Sequence, residues 1–223
     1  MKYTHEHIKN VGTINECYIQ RYPNINYEKK YIFVHPPRCA GKSVEFCLFN
    51  KKPISGSADH RLICQHREII GKDFDKFTSF SFCRNPFDRL VSTYEHRKRK
   101  FKDSDPTNVS FKDWIMKQQH PDSWGYSVPP LSIEKGKYFT QRSQVDYISD
   151  PSTRNICVDY IGRFENIKND WKFICREILK ENIELSHLNG SIRKDYREYY
   201  DQEMREFVYK LWEKDLDTFK YIF

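Results

Sequence analysis

The chain has 223 residues, and its 38 lysines and arginines against 31 aspartates and glutamates give a net charge of +7. This length suits one α/β domain, so we assign residues 1–223 to a single domain, with residues 1–27 as an N-terminal arm or edge element. No apolar run of about 18 residues occurs, so we predict no membrane span. The positive charge favours an anionic ligand but does not identify one.

Cysteine usage indicates a reducing compartment. The seven cysteines have no paired spacing and no Cys-x-x-Cys motif, so we predict no zinc site. The N-terminal residues lack the apolar stretch of a secretory signal. We therefore expect a cytoplasmic protein whose reduced cysteines belong to the core.

In chain order, the first informative element is a strand followed by a tight turn. Tyr31–Val34 combines β-branched and aromatic residues, as a buried strand does, and Pro36 and Pro37 end it. Ser43 then begins an apolar-spaced helix that we predict to extend to about residue 49. Strand, small-residue turn and helix are the parts of a phosphate cradle, because the first N–H groups and the dipole of a helix attract an anion. The alternative is an ordinary connection in an α/β protein.

The residues of this turn support the cradle. Ala40 and Gly41 are small enough for a ligand to approach the backbone, and Arg38 and Lys42 add two cations. We therefore predict that the backbone N–H groups of residues 39–43 hold an anion.

A second strand, turn and helix follow at residues 77–94. Residues 79–83 alternate as in a strand, Asn85 suits the N-cap of a helix, and Pro86 suits its first turn. Arg84 thus stands at the carboxyl end of the strand, where ligands bind in open α/β sheets.

The remaining segments complete an α/β pattern. We predict helices at residues 60–71, 110–119, 167–179 and 204–219, a strand at 156–161, and loops at 51–59 and 120–138. Residues 96–102 form a basic run, which we interpret as a solvated helix face, with an electrostatic contact to an acidic substrate as the alternative. The predicted fold class is α/β, with a P-loop-like central parallel sheet flanked by helices.

Residues 36–43 nearly match the Walker A pattern, but Pro36 stands where its first glycine belongs. A magnesium-dependent kinase or nucleotide triphosphatase would also need an acidic residue at the end of a neighbouring strand. Arg84 stands there instead, and an arginine binds a phosphate rather than a metal. These residues favour a nucleotide that is bound without magnesium and carries an extra phosphate.

The two turns resemble the motifs of the sulfotransferase superfamily, most closely its carbohydrate branch, the sulfotransferase family 2 type. The stretch His35-Pro36-Pro37-Arg38-Cys39-Ala40-Gly41-Lys42-Ser43 is similar to the family's His-x-Pro-Lys-x-Ala-Gly-Thr-Ser. Residues 84–94 match the family's Arg-Asn-Pro-x-Asp-Arg-Leu-Val-Ser-x-Tyr throughout. The resemblance covers roughly residues 31–223, with a weak middle at residues 102–150. It departs from the family at Arg38, where lysine is usual, and at Lys42, where threonine is usual.

The resemblance implies that the chain binds 3′-phosphoadenosine 5′-phosphosulfate (PAPS) and transfers its sulfonate group to a hydroxyl. It implies that the first turn holds the 5′-phosphosulfate and that Arg84 and Ser92 hold the 3′-phosphate. We also expect residues 191–194 to close over the nucleotide. The predicted cofactor-binding residues are Arg38, Cys39, Ala40, Gly41, Lys42, Ser43, Arg84, Ser92, Arg193 and Lys194.

The predicted catalytic residues are His60, Arg38 and Lys42. The family's lysine is expected to stabilise the leaving phosphate, and the sequence leaves open whether Arg38 or Lys42 does so here. A general base must take the proton of the acceptor hydroxyl, and a histidine titrates in the useful range. The spacing of His60 to Gly71 resembles that of the family's histidine, so we prefer it to His66.

We therefore predict a PAPS-dependent sulfotransferase whose acceptor is a carbohydrate or glycoconjugate, such as an acidic glycan or glycolipid. A small alcohol also remains open, because the acceptor loops lie in the weakly matched middle. One alternative is a P-loop kinase. Another is a nucleic-acid-binding module that uses residues 96–102 and binds with steep salt dependence. We expect neither a nucleic-acid partner nor a bound metal.

Overall fold

The computed structural model describes residues 24–49, 60–101, 110–117, 142–185 and 193–223. The predicted loops at 51–59 and 120–138, and residues 1–23 of the predicted arm, lie outside the described residues. Within the described ranges, four strands form one sheet in the order β1-β2-β3-β4. The strands are β1 (Ile25–Asn26), β2 (Tyr31–Val34), β3 (Thr78–Cys83) and β4 (Tyr160–Arg163).

The sheet is mostly parallel. β1 pairs antiparallel with β2 at one edge, whereas β2, β3 and β4 run parallel to one another. Val34 pairs with Ser81, and Cys83 pairs with Arg163. The carboxyl ends of β2 and β3 therefore lie at the same edge of the sheet, and each is followed by one of the two predicted turns. A mixed α/β fold with helices beside a mostly parallel sheet confirms the predicted fold class.

Helices connect the strands. The α-helices of the described residues are α1 (Gly41–Phe49), α2 (Ile63–Ile70), α3 (Pro86–Phe101), α4 (Phe111–Ile115), α5 (Gln144–Ile148), α6 (Ile167–Ile174), α7 (Gln202–Leu211) and α8 (Glu213–Phe219). A π-helical turn at Cys175–Leu179 continues α6, and Gly71–Lys76, Phe164–Asn166 and Tyr196–Tyr199 are 3-10 helices. α3 starts as predicted, because the side-chain oxygen of Asn85 accepts a hydrogen bond from the N–H of Phe87 at 3.0 Å.

The sheet is buried on both faces. Ile32 and Val34 of β2 belong to a cluster with residues of α2, α5 and α8, whereas Phe33 packs on the other side with Phe80 and Trp171. A third cluster joins α3 to α4, α7 and α8. Burial on both sides explains why β2 and β3 consist almost entirely of apolar and small residues.

Two predicted boundaries on the carboxyl-terminal half are wrong. The strand predicted at residues 156–161 is Tyr160–Arg163, and Ile156 instead forms an isolated bridge outside the sheet. The carboxylate of Asp159 accepts hydrogen bonds from the N–H and hydroxyl of Ser79, at 2.7 and 2.8 Å. Pairing with β3 therefore begins after Asp159.

The helix predicted at residues 204–219 is two helices, because the chain turns at Trp212 with φ −114° and ψ 24°. Trp212 is fully buried and packs with Met204 and Val208, whereas Phe207 is half-buried. The helix predicted at residues 110–119 ends at Ile115. In the part of the chain that the structure describes, no helix combines the length and apolar character needed to cross a membrane.

Candidate functional site

The turn between β2 and α1 forms the first half of the candidate site, and we call residues 36–43 the phosphate loop. The backbone at Arg38 and Ala40 is left-handed, with φ of 69° and 63°, so the loop folds back sharply before the helix. α1 begins at Gly41, earlier than the predicted Ser43. In this first turn the N–H groups of Gly41 and Lys42 have no acceptor within the helix, which leaves them available to an anion.

Two N–H groups of the loop, those of Cys39 and Ser43, already have acceptors, so fewer of the N–H groups of residues 39–43 are available to an anion than we predicted. The N–H of Ser43 donates to Ala40 O at 2.9 Å, and that of Cys39 donates to Pro36 O at 3.4 Å. The Cys39 thiol is buried and donates to Gln144 Oε1 at 3.0 Å. Burial raises the pKa of the Cys39 thiol to about 12, so the thiol stays protonated. Cys39 therefore holds the loop in place rather than acting as a nucleophile.

A buried hydrogen bond between His35 and Glu45 lies next to the loop. His35 Nδ1 lies 2.9 Å from Glu45 Oε1, and both side chains are buried. The His35 ring packs directly against Gly41, where an added Cβ would lie 1.7 Å from its Nε2. Any side chain at position 41 would overlap the His35 ring, so this position requires glycine. The same contact holds His35, which directly follows β2, against the start of α1.

The turn after β3 forms the second half of the site. Arg84 is only 6 % exposed, and its guanidinium donates to Asp88 Oδ2 through Nε at 2.8 Å and pairs with it through Nη2 at 2.7 Å. Its Nη1 donates to the carbonyl oxygen of Arg38 at 2.9 Å. The ring of Phe164 lies under the guanidinium, with its centroid 3.9 Å from Cζ. These contacts fix Arg84 against the phosphate loop.

Arg38, Arg84, Asp88, Ser92 and Arg193 form one group, which we call the arginine cluster. Arg38 donates to Ser92 Oγ through Nε at 3.2 Å and through Nη2 at 3.0 Å. Arg193 pairs with the Oδ1 atom of Asp88, so this carboxylate joins two arginines. The structure thus brings together four of the predicted cofactor-binding residues: Arg84, Ser92, Arg38 from the phosphate loop, and Arg193 from the carboxyl-terminal part.

The cluster has an excess of positive charge. Its three guanidinium groups face a single carboxylate, that of Asp88. Burial is the main cause that lowers the pKa of Arg38 to about 10, and the charges of neighbouring arginines add to it. These neighbours are Arg84, Arg99 and Arg193. Positive groups held this close together favour an anionic ligand, because it would relieve their mutual repulsion.

A buried network that the sequence analysis missed joins both halves of the site. Gln144, at the start of α5, accepts from the N–H of Arg84 and donates to its carbonyl oxygen, both at 2.8 Å. The same amide holds the Cys39 thiol and donates to Asp215 Oδ2 at 3.2 Å. The Asp215 carboxylate also accepts the N–H groups of Gln144 and Val145, at 2.9 and 3.0 Å. Gln144 is thus one link between the phosphate loop and the turn at Arg84, in addition to the direct bond from Arg84 to Arg38 O.

The buried Arg89 adds a second connection to this network. Its Nε donates to Pro37 O at 3.0 Å and its Nη1 donates to Arg142 O at 2.9 Å. Nη1 also lies 3.9 Å from Asp215 Oδ2. The second arginine of the turn therefore supports the backbone of the phosphate loop, whereas Arg84 faces the cluster.

The two histidines considered as a base lie in different surroundings. His60 Nδ1 lies 2.8 Å from the carbonyl oxygen of His35, and the two rings are 4.4 Å apart. Since a carbonyl only accepts, Nδ1 carries the proton and Nε2 carries the lone pair. Burial first, and then nearby positive charge that includes Lys42, lowers the pKa of His60 well below its usual value. His66 is fully buried in α2, whereas His60 is half-buried.

The remaining predicted site residues are exposed or half-buried. Lys42 is exposed in the first turn of α1, and Ser43 is half-buried beside it. Lys194 is exposed and lines a cavity of about 380 Å³. The other residues that line this cavity are Glu95, Arg193, Glu198 and Tyr199. Residues 191–192 of the predicted closing loop lie outside the described residues.

Comparison with known proteins identifies the family. A family model described as sulfotransferase family matches residues 44–222, which is most of the chain. The chain belongs to the sulfotransferase family. This match, of the sulfotransferase family 2 type, confirms the predicted resemblance. The matched range of this sulfotransferase includes the turn at Arg84 and begins directly after the phosphate loop.

One relative of this sulfotransferase is a protein from Archaeoglobus fulgidus described as uncharacterized. It is 27 % identical over 133 residues, which cover 59 % of the sulfotransferase chain and 92 % of the relative. No solved structure matches the chain.

Proposed function

We propose that this sulfotransferase moves a sulfonate group from PAPS to a hydroxyl of a carbohydrate or glycoconjugate. The observation that carries the proposal is the arginine cluster beside the phosphate loop. The hydrogen bond from Arg84 Nη1 to the carbonyl oxygen of Arg38 connects the phosphate loop with the turn after β3, which are the two proposed phosphate sites. A nucleotide with phosphates at both the 5′ and 3′ positions matches that arrangement.

The residues present fit this donor. The N–H groups of Gly41 and Lys42 suit the 5′-phosphate, because they begin a helix and have no intrahelical acceptor. Arg84 and Ser92 suit the 3′-phosphate, because guanidinium and hydroxyl groups at a positively charged place bind a dianion strongly. When bound, PAPS would supply the sulfonate group, and its adenosine 3′,5′-bisphosphate part would be the leaving group that gains the negative charge.

His60 is the proposed base. Its proton lies on Nδ1, held by the carbonyl of His35, and its depressed pKa keeps the ring neutral at neutral pH. Nε2 therefore has the lone pair that can accept the proton of an acceptor hydroxyl. Removing the base should lower turnover by about 10²–10⁴-fold while nucleotide binding stays intact.

The kinase alternative has less support at this site. Asp88, in the first turn of the helix after β3, has both of its oxygens paired with arginines. Glu165, which follows β4, already accepts the N–H of Asn85 and the hydroxyl of Tyr221, both at 2.7 Å. These two carboxylates are therefore poorly suited to hold magnesium. Residues 96–101 of the basic run lie in α3, and the charge of Arg99 contributes to the lowered pKa of Arg38, so part of this run belongs to the surroundings of the arginine cluster.

The test is a thermal-shift panel at equal concentrations of adenosine 3′,5′-bisphosphate, AMP, ATP with magnesium, and single-stranded DNA. We expect the bisphosphate to raise Tm most, because each charge-assisted hydrogen bond to the second phosphate contributes about 1.5–3 kcal/mol. Arg84→Gln should lose this advantage, whereas Arg176→Gln, at an exposed arginine remote in sequence, should keep it. Equal shifts with bisphosphate and AMP would contradict the proposed donor. A radiolabelled sulfonate transfer assay on neutral and acidic glycans then identifies the acceptor.

A further inference from the structure

We infer that Glu45 is a positioning residue for the proposed base His60 and acts on it through the ring of His35. This inference rests on the proposed function and deepens it, because it says how the base is held beside the phosphate loop. Three contacts of His35 carry it: one with the carboxylate of Glu45, one with the start of α1, and one with His60.

The first contact fixes the orientation of the His35 ring. His35 Nδ1 lies 2.9 Å from Glu45 Oε1, and both side chains are buried. Because a carboxylate accepts hydrogen bonds, Nδ1 donates and carries the ring proton. The ring of Phe33, two residues earlier on β2, stacks on the imidazole with the centroids 5.6 Å apart and 16° between the planes. An imidazole held by both a hydrogen bond and a stacked ring keeps one orientation.

The second contact joins this ring to the phosphate loop. A Cβ added at Gly41 would lie 1.7 Å from His35 Nε2, so the ring packs directly on the first residue of α1. Glu45 lies four residues after Gly41 on the same helix, which places the carboxylate and the packed backbone on one face. The helix that begins in the phosphate loop therefore holds the ring at two points.

The third contact joins the ring to the base. The centroids of the His35 and His60 rings are 4.4 Å apart, with 59° between the planes, and His60 Nδ1 lies 2.8 Å from the His35 carbonyl oxygen. The backbone of His35 thus sets which nitrogen of His60 carries the proton, and its ring limits where the His60 ring can lie. The position of the base relative to the phosphate loop therefore depends on His35, which Glu45 orients.

This position matters because proton transfer requires a short distance. The Nε2 atom of His60 must come within about 3 Å of the acceptor oxygen while that oxygen approaches the sulfur. A misplacement of about 1 Å can cost about 100-fold in rate. Removing the Glu45 carboxylate leaves Nδ1 of His35 without this acceptor, so the ring is free to turn and no longer holds His60 in place. We therefore expect Glu45 to affect the rate of transfer much more than the affinity for nucleotide.

The experiment measures release of adenosine 3′,5′-bisphosphate from radiolabelled PAPS with water as the acceptor, so no glycan is needed. In this reaction the water oxygen bonds to sulfur and its proton passes to His60 Nε2. The bond from sulfur to the bridging oxygen of the 5′-phosphate breaks, which yields sulfate and the bisphosphate. Calorimetry with the bisphosphate measures nucleotide affinity separately, so that effects on rate and on binding are distinguished.

Glu45→Met removes the hydrogen-bond acceptor and keeps a similar volume. It should lower the rate by about 10- to 100-fold and change bisphosphate affinity by less than about threefold. Glu45→Gln keeps an oxygen that accepts from His35 Nδ1, so it should recover most of the lost rate. The matched control is Glu68→Met, at an exposed glutamate of α2, which should change neither quantity.

Combining Glu45→Met with His60→Ala separates positioning of the base from a general loss of structure. If Glu45 acts through His60, Glu45→Met should change the rate by less than about twofold once position 60 is alanine. A merely structural role would lower the rate by the same factor in both backgrounds, and this result would overturn the inference alone. A Glu45→Gln variant as slow as Glu45→Met would also overturn it.

Glu45→Ala takes the place of Glu45→Met in both comparisons if the melting curve shows that Glu45→Met does not fold. Failure of the proposed function looks different. A wild-type protein that releases no bisphosphate from PAPS would overturn the proposed donor and the inference with it. Full activity in His60→Ala would exclude His60 as the base, and the positioning role of Glu45 with it.

Discussion

Replacing Gln144 by leucine tests whether one buried amide holds the two halves of the site together. Leucine has a similar volume, so the change removes hydrogen bonds without opening a large cavity. It leaves the buried N–H and carbonyl groups of Arg84, each paired at 2.8 Å in the wild type, without these partners. A buried polar group left unpaired costs about 1–3 kcal/mol, so two cost about 2–6 kcal/mol.

The assay is thermal unfolding together with bisphosphate titration. At about 2–4 °C per kcal/mol for a chain of this size, Tm should fall by about 10 °C. Bisphosphate affinity should fall as well, because Gln144 also holds the Cys39 thiol in the phosphate loop. The matched control is Gln202→Leu, at an exposed glutamine whose amide donates to Glu206 one turn further along α7. Similar losses in the two variants would refute the reasoning about the buried network.

Two further predictions concern the histidines. Gly41→Ala should lower the free energy of unfolding by about 1–3 kcal/mol, because the new methyl group would overlap the His35 ring. The double variant with His35→Ala should lose less free energy of unfolding than the two single variants together. A strictly additive result in urea unfolding would exclude this contact as the cause. In the unfolded chain His60 takes up a proton as the pH falls below its usual pKa of about 6.5, whereas in the folded protein its pKa is lowered and the ring stays neutral. The unfolded state therefore binds more protons, and the free energy of unfolding should fall as the pH drops through that range. His60→Asn should flatten this pH dependence in melting curves recorded between pH 7 and 5, and an unchanged slope would show that other groups cause it.

The sequence was sufficient for the two strand–turn–helix units because their signals are local. Tyr31–Val34 and Thr78–Cys83 are short apolar strands, and each ends in residues that stop a strand and start a helix. Parallel pairing of the two strands then requires that their carboxyl ends meet. The neighbourhood of Arg84 and the phosphate loop follows from these facts without any knowledge of side-chain contacts.

The supporting network could not be predicted in the same way. Gln144 lies 60 positions from Arg84 and 105 from Cys39, in the part of the chain with the weakest family resemblance. A glutamine next to a short helix has no local signal that distinguishes a structural amide from a surface residue. For His66 the local signal was present but insufficient. Its segment has helical spacing, but the packing of α2 in the tertiary structure decides that the ring is fully buried.

The residue type at position 38 does not reveal which side chains Arg38 contacts. Lysine and arginine are both cations, and a pattern that requires a cation at this position accepts either. The guanidinium of Arg38 bonds to the hydroxyl of Ser92, 54 positions away on α3, at 3.0 Å. This contact depends on how the phosphate loop and α3 pack against each other, and that packing has no signal in the residues around position 38. A sequence can therefore place a cation in the loop, but only the tertiary structure shows which partner the cation contacts.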